Sequence, residues 1–306
     1  MNHVQLSVPS ALILLSILST SRAAAPGGDD FVVLPNTASP VQFRLYTNAA
    51  PDAAHLFNMF DLQAHGELLL TAPAGKGLQR ALAASPPEIS LHSVLVNGQG
   101  PELASTNGMN VIEEAIGPDW RYVALDATAA YRDRLTQFRR GVLFVEPDLF
   151  VLHDHLTAKE PVGFRMSLHP SSATHLDAAW GDLRLDLPNA GVRINTPGRK
   201  TSPRSWSRVP SAADSLLPGT VTMELGPTNK LAQFDIVTVF AVYRAGEKKS
   251  YSFKLLESNT AVGAQIHRDG LPTLVAFKTA AGAADGSLAG FGFHGPVGVY
   301  VFKPKR

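Results

Sequence analysis

His153-Asp154-His155 is the arrangement in this chain that most resembles a set of metal ligands. It follows an apolar run that reads as a strand, where neighbouring side chains point to opposite faces and residues two apart share one. His153 and His155 therefore share a face, and Asp154 leaves it. Zinc wants three or four ligands, and the sequence shows no third one beside the two imidazoles. A second group is cationic. Arg199, Lys200, Arg204, Trp206 and Arg208 fall within Asn195 to Ser211, the longest loop-like stretch of the chain. Guanidinium forks pair with carboxylate or sulfate, and an indole can stack on a pyranose face. Arg199, Arg204 and Trp206 are thus the expected contacts for an anionic sugar; the plainer alternative is a solvated loop anchored by one Trp. Arg139-Arg140, just before an apolar run, are expected to form a solvated face.

The elements that must position these groups read as strands. Short apolar runs separated by turn residues recur to the end of the chain. Among them are Phe31 to Leu34, Val41 to Tyr46, Ser90 to Val96, Gly141 to Val145 and Leu149 to Leu152. Later ones are Leu183 to Leu187, Asp235 to Tyr243, Thr273 to Phe277 and Val297 to Phe302. Most are short, rich in β-branched or aromatic residues and closed by Gly, Pro, Asn or Asp, the signature of strands and hairpins. Glu146-Pro147-Asp148 between two such runs predicts a tight hairpin. Helical periodicity is weak, with candidate short helices at 50–57, 77–84 and 211–217. Many strands with few crossover helices exclude a parallel sheet and predict an all-β fold, a large antiparallel β-sandwich of stacked sheets. No fixed-period repeat is visible, which disfavours a solenoid or propeller.

The chain has 306 residues, a net charge of +1 and no cysteine. A near-neutral balance gives no global field for nucleic acid or an anionic membrane, so attraction to an acidic polymer must come from a local patch. The run Ala11 to Leu18 is an apolar segment too short to span a bilayer, followed by small residues at Ala23 to Ala25. Residues 1–24 are expected to be a secretory signal peptide, residues 30–306 the folded domain, and the location periplasmic or secreted. No later segment is long enough to cross a membrane as an apolar helix.

Three collinear stretches resemble the heparinase II/III polysaccharide lyases. Phe60-Asp61-Leu62-Gln63-Ala64-His65-Gly66-Glu67 is similar to the strand and turn that follow that family's H-x-H-x-D signature. His92-Ser93-Val94-Leu95-Val96-Asn97-Gly98 is similar to its H-N-T-L-x-V-D-G stretch. Arg121 to Tyr131, then Arg139-Arg140-Gly141-Val142-Leu143-Phe144-Val145 through Glu146-Pro147-Asp148 to His153-Asp154, resembles its longest conserved passage. The resemblance runs from Phe31 to Lys305, most clearly before Gly181, and implies the family's C-terminal β-sandwich module without the helical toroid that normally precedes it. It also implies a site at which His55 and His92 are the candidate catalytic residues and Asn58 a substrate contact. The signature is altered: Asp52, Ala54 and Leu56 stand where its two histidines and aspartate belong, and His55 is one place out of phase. Thr71 and Ala72 occupy the neighbourhood of the acid that helps hold zinc in related enzymes. Of the three implied zinc ligands only His92 is left, so a divalent metal there would lack two partners. Asp126 and Tyr131, within the matched passage, are expected to be turn and core residues.

β-Elimination from a uronic acid needs a neutralised carboxylate, a base for the C5 proton and a donor for the leaving oxygen. The resemblance implies a polysaccharide lyase acting on an acidic, uronate-containing polysaccharide, with a separate toroid-domain chain or a homo-oligomer completing the site. The alternatives are a non-catalytic carbohydrate-binding module or partner subunit, and a fragment of a longer lyase.

Overall fold

The computed structural model describes residues 31–35, 39–46, 60–70, 94–101, 110–131, 133–168, 170, 175–179, 182–198, 204–208, 221–225, 230–279 and 285–302. The expected signal segment and the three candidate short helices lie outside these residues.

The chain opens with β1 (Phe31–Leu34), β2 (Val41–Tyr46), β3 (Phe60–Ala64) and β4 (Glu67–Leu70), joined in that order into one sheet. Then follow β5 (Val94–Val96), β6 (Asn110–Gly117), β7 (Trp120–Asp126), a 3-10 turn at Thr128–Tyr131, β8 (Leu135–Val145) and β9 (Leu149–Val162). Next come β10 (Phe164–Leu168), β11 (His175–Ala179), β12 (Asp182–Asp186), β13 (Ala190–Asn195), β14 (Arg204–Arg208) and β15 (Val221–Leu225). The last third supplies β16 (Leu231–Arg244), β17 (Tyr251–Glu257), β18 (Ala261–Arg268), β19 (Leu271–Lys278), β20 (Asp285–Leu288), β21 (Phe291–His294) and β22 (Val297–Val301).

An eight-stranded sheet, ordered β11-β12-β13-β16-β9-β8-β7-β6, forms the central layer. One of its faces packs on the β1–β4 sheet and on a second four-stranded sheet, β14-β15-β10-β5. Its other face packs on the sheet β17-β18-β19-β22. The β20-β21 hairpin covers the far side of that last sheet through Leu288 and Phe293. Every described strand pair is antiparallel. The expected antiparallel β-sandwich is therefore the fold.

A sheet covered on both faces explains the continuous apolar runs of β8, β9 and β16, which lack the alternation of a half-solvated strand. Even-numbered Phe150, Leu152 and Leu156 of β9 and Ile236, Phe240 and Val242 of β16 enter the first core. Odd-numbered Leu149, Val151, Val237, Val239 and Ala241 enter the second. In the first core Phe43 of β2 stacks on Phe60 of β3 at 4.5 Å and lies 5.5 Å from Phe150. Such ring pairs contribute about 0.5–1.5 kcal/mol each beyond the area they bury.

The hairpin at Glu146–Asp148 links β8 to β9 as expected. Asp126 accepts the Thr128 amide at 2.9 Å, a turn role, and buried Tyr131 donates its hydroxyl to the Val94 carbonyl at 2.8 Å. Two expectations need correction. β9 and β16 run for 14 residues each, longer than their apolar segments, because both continue past the core with exposed residues such as Lys159, Glu160 and Gln233. The long loop at 195–211 is interrupted by β14, which pairs with β15 from Arg204↔Leu225 to Arg208↔Val221. The Arg-Ser-Trp-Ser-Arg alternation has the period of a strand, and β15 supplies the ladder that makes it one.

Candidate functional site

Where the eight-stranded sheet meets the β17-β18-β19-β22 sheet, the apolar layer gives way to a polar cluster. His153 and His155 share a face of β9, and the β9–β16 register sets Val237 opposite His153 and Asp235 opposite His155. His153 Nε2 and His155 Nδ1 each lie 2.8 Å from the same Asp235 Oδ1. Both histidines are buried, whereas Asp235 keeps 21% of its side chain exposed. The His153 ring stacks on Phe277 of β19 at 4.7 Å, which closes the inner side of the cluster. Burial alone would raise the Asp235 pKa, but hydrogen bonds to and charge on the two imidazoles outweigh it and hold the carboxyl well below its ordinary range. Asp235 is the third ligand-type residue that the sequence did not show. It begins the apolar run Asp235 to Tyr243, and no local pattern ties it to a strand so distant in the chain.

Arg139 of β8 lies opposite His155 across the β8–β9 pair. Its guanidinium pairs with Glu113 of β6 and donates to the Tyr122 hydroxyl at 3.2 Å. Burial pushes the Tyr122 phenol up, and the Arg139 charge pulls it partly back. Tyr122 reaches this position across Gly141, whose own Cβ would stand 2.6 Å from the phenol oxygen. The chain thus places a carboxylate, a guanidinium and a phenol beside the two imidazoles. The expectation of a solvated Arg139-Arg140 face is wrong: Arg139 is mostly buried here, and Arg140 is fully buried on the opposite face of the sheet. A charged pair that looks superficial in sequence becomes internal because this sheet is covered on both sides.

A second polar surface lies on the outside of the β1–β4 sheet. Gln42, Arg44, Asp61, Gln63 and Leu68 line an open groove of about 210 Å³. The β2–β3 register sets Gln42 opposite Gln63 and Arg44 opposite Asp61, while Phe43 and Leu62 point into the core.

Of the residues expected to carry function, His55, Asn58, His92 and Arg199 lie outside the described residues. Arg204 and Trp206 lie on β14, near one end of the sheet that also holds β5. In the sequence, the positions of the zinc ligands implied by the family resemblance do not supply the full donor set. Of the positions at which it implies ligands, Ala54 and Ala72 carry no ligand atom and Thr71 offers only a hydroxyl, and these residues lie with Asp52 and His92 outside the described ones. Among the described residues, the group of three ligand-type side chains that could hold a metal ion is His153, His155 and Asp235.

No protein-family model matches the sequence, and no curated protein matches it. Solved structures do. A heparan sulfate lyase HepC mutant from Pedobacter heparinus superposes with a TM-score of 0.61 at 12% identity, covering 86% of this chain and 43% of the lyase. A heparinase III, the BT4657 gene product, gives 0.62 at 12% identity over 87% of this chain and 43% of its own. Another heparinase III gives 0.58 at 16% identity, with 81% and 41% covered. The chain spans less than half the length of the lyases it matches. What it shares with them is the fold, an all-β sandwich of the polysaccharide-lyase kind.

Proposed function

We propose that this chain is the β-sandwich module of a heparinase II/III-like polysaccharide lyase and engages an acidic, uronate-containing polysaccharide. The observation that carries the reading is a lyase-like fold spanning more than four fifths of the chain, together with the collinear sequence resemblance before Gly181. Binding rests on the outer groove of the β1–β4 sheet, where amide, guanidinium and carboxylate groups match the hydroxyls and carboxylates of a uronan. The strand Phe60–Ala64 that carries part of the resemblance also supplies Asp61 and Gln63 of this groove. The basic segment with Arg199, Arg204 and Trp206 is a second candidate for contact with the anionic polymer. Cleavage, where it occurs, is β-elimination with His55 and His92 as the proton-handling candidates. The leader expected at residues 1–24 fits export to the periplasm or medium, where such polymers are met.

The test measures binding of the chain to heparan sulfate, alginate and a neutral glucan by calorimetry, with ultraviolet absorbance following unsaturated uronate product. The reading expects affinity for an acidic polymer only, weakened about tenfold by Arg44→Ala or Gln63→Ala. Equal affinity for the neutral glucan, or none for any acidic polymer, would sink it. Product formation that is lost in His92→Ala assigns the lyase activity to this chain.

A further inference from the structure

We propose that His153, His155 and Asp235 form a binding site for a divalent transition-metal ion of the zinc type, with ligands other than those implied by the family resemblance. Three ligand atoms from two adjacent strands lie within 4.8 Å of one another. Each is of a class that zinc accepts: two imidazole nitrogens and one carboxylate oxygen. The same set discriminates against calcium and magnesium, which prefer cages built from oxygen ligands alone.

The strand geometry does the positioning. His153 and His155 converge because residues two apart share a face, and Asp235 joins them because the β9–β16 register sets it opposite His155. Phe277 against the His153 ring limits rotation of that ligand. The outer side stays open: Asp235 is partly exposed, and Leu231, Ala232 and Gln233 before it are exposed as β16 runs beyond the core. An ion has a path in, and three protein ligands leave a fourth position for water or an anion. Charge favours a dication as well. Arg139, opposite His155 across the β8–β9 pair, is paired with Glu113, and Asp235 supplies a carboxylate within the cluster. The site does not depend on the proposed polysaccharide function.

The full chain, stripped with a chelator, is titrated with Zn²⁺, Co²⁺ and Ca²⁺ by calorimetry. The Co²⁺ sample is also followed in the visible range, where imidazole-ligated cobalt of low coordination number absorbs. One equivalent of Zn²⁺ or Co²⁺ should bind and Ca²⁺ should not. His153→Gln and Asp235→Asn should weaken zinc by more than ~100-fold, since loss of a direct ligand exceeds the effect of an outer-shell change. His92→Ala should leave that affinity unchanged. Anomalous diffraction at the zinc edge from the unmodified chain covers the case in which a variant misfolds. A peak among His153, His155 and Asp235 supports the site; a peak elsewhere, or saturating zinc that leaves no peak there, overturns it. Binding lost with His92→Ala and kept in Asp235→Asn overturns it equally.

Discussion

Arg140 and Asp154 face each other across the β8–β9 pair as a two-pronged ion pair in the apolar layer, with no exposed side-chain surface on either. Arg140 Nε donates to Asp154 Oδ1 at 2.6 Å, and its Nη2 donates to Oδ2 at 2.7 Å. The guanidinium also sits 5.4 Å from the centre of the Phe138 ring. Removing two charges from water costs several kcal/mol each, and their attraction offsets this only while both are present. Either single change, Arg140→Met or Asp154→Leu, is therefore expected to destabilise the fold by about 3–5 kcal/mol. The double variant should recover most of that loss. Urea unfolding of the four proteins checks it, and a double variant no more stable than the worse single one would contradict the argument.

Acid should weaken the sandwich through Asp235. Its folded carboxyl is depressed by the two imidazoles despite its burial, so it titrates below the unfolded value of about 4. The stability it contributes is thus fully present above pH ~4 and is lost as the pH falls toward the folded value. Chelator-treated wild type and Asp235→Asn, compared by urea unfolding, should differ most near neutrality. They should converge only as the pH falls well below the unfolded value and toward the folded one. A constant difference across that range would show that the carboxylate's charge is not what matters.

At the alkaline end the group to watch is Tyr251. Burial, aided by the Asp148 charge, raises its phenol above the usual range, and its hydroxyl has no hydrogen-bond partner among the described residues. A raised folded pKa gives stability that is present below the unfolded value of about 10 and lost as the pH rises beyond it. Tyr251→Phe should therefore be near neutral at pH 7 and less sensitive to alkali than wild type, as read by thermal unfolding. Equal alkaline sensitivity of the two proteins would refute the assignment.

Gly141 is required by the ring that crosses it. An alanine Cβ would meet Tyr122 at 2.6–2.7 Å, and Tyr122 is held by Arg139 and by Phe277 at 6.1 Å between ring centres. Gly141→Ala should cost roughly 1–3 kcal/mol through overpacking. Adding Tyr122→Leu should relieve part of that cost, which a thermal-shift comparison of single and double variants would detect.

The sequence by itself determined the fold class and many of the strands. Phe31 to Leu34 and Val41 to Tyr46 are strands at the bounds their patterns predict, because short apolar runs and turn residues act locally. It also determined that His153 and His155 share a face, since that follows from the strand period alone. Tertiary structure decided what joins them. Asp235 completes the cluster through a pairing register between β9 and β16, and register depends on how whole strands bury their faces. The same cause reversed the reading of Arg139 and Arg140. Adjacent charges suggest solvent, but a sheet covered on both faces buries Arg140 fully and Arg139 mostly, beside Asp154 and Glu113 brought from other strands.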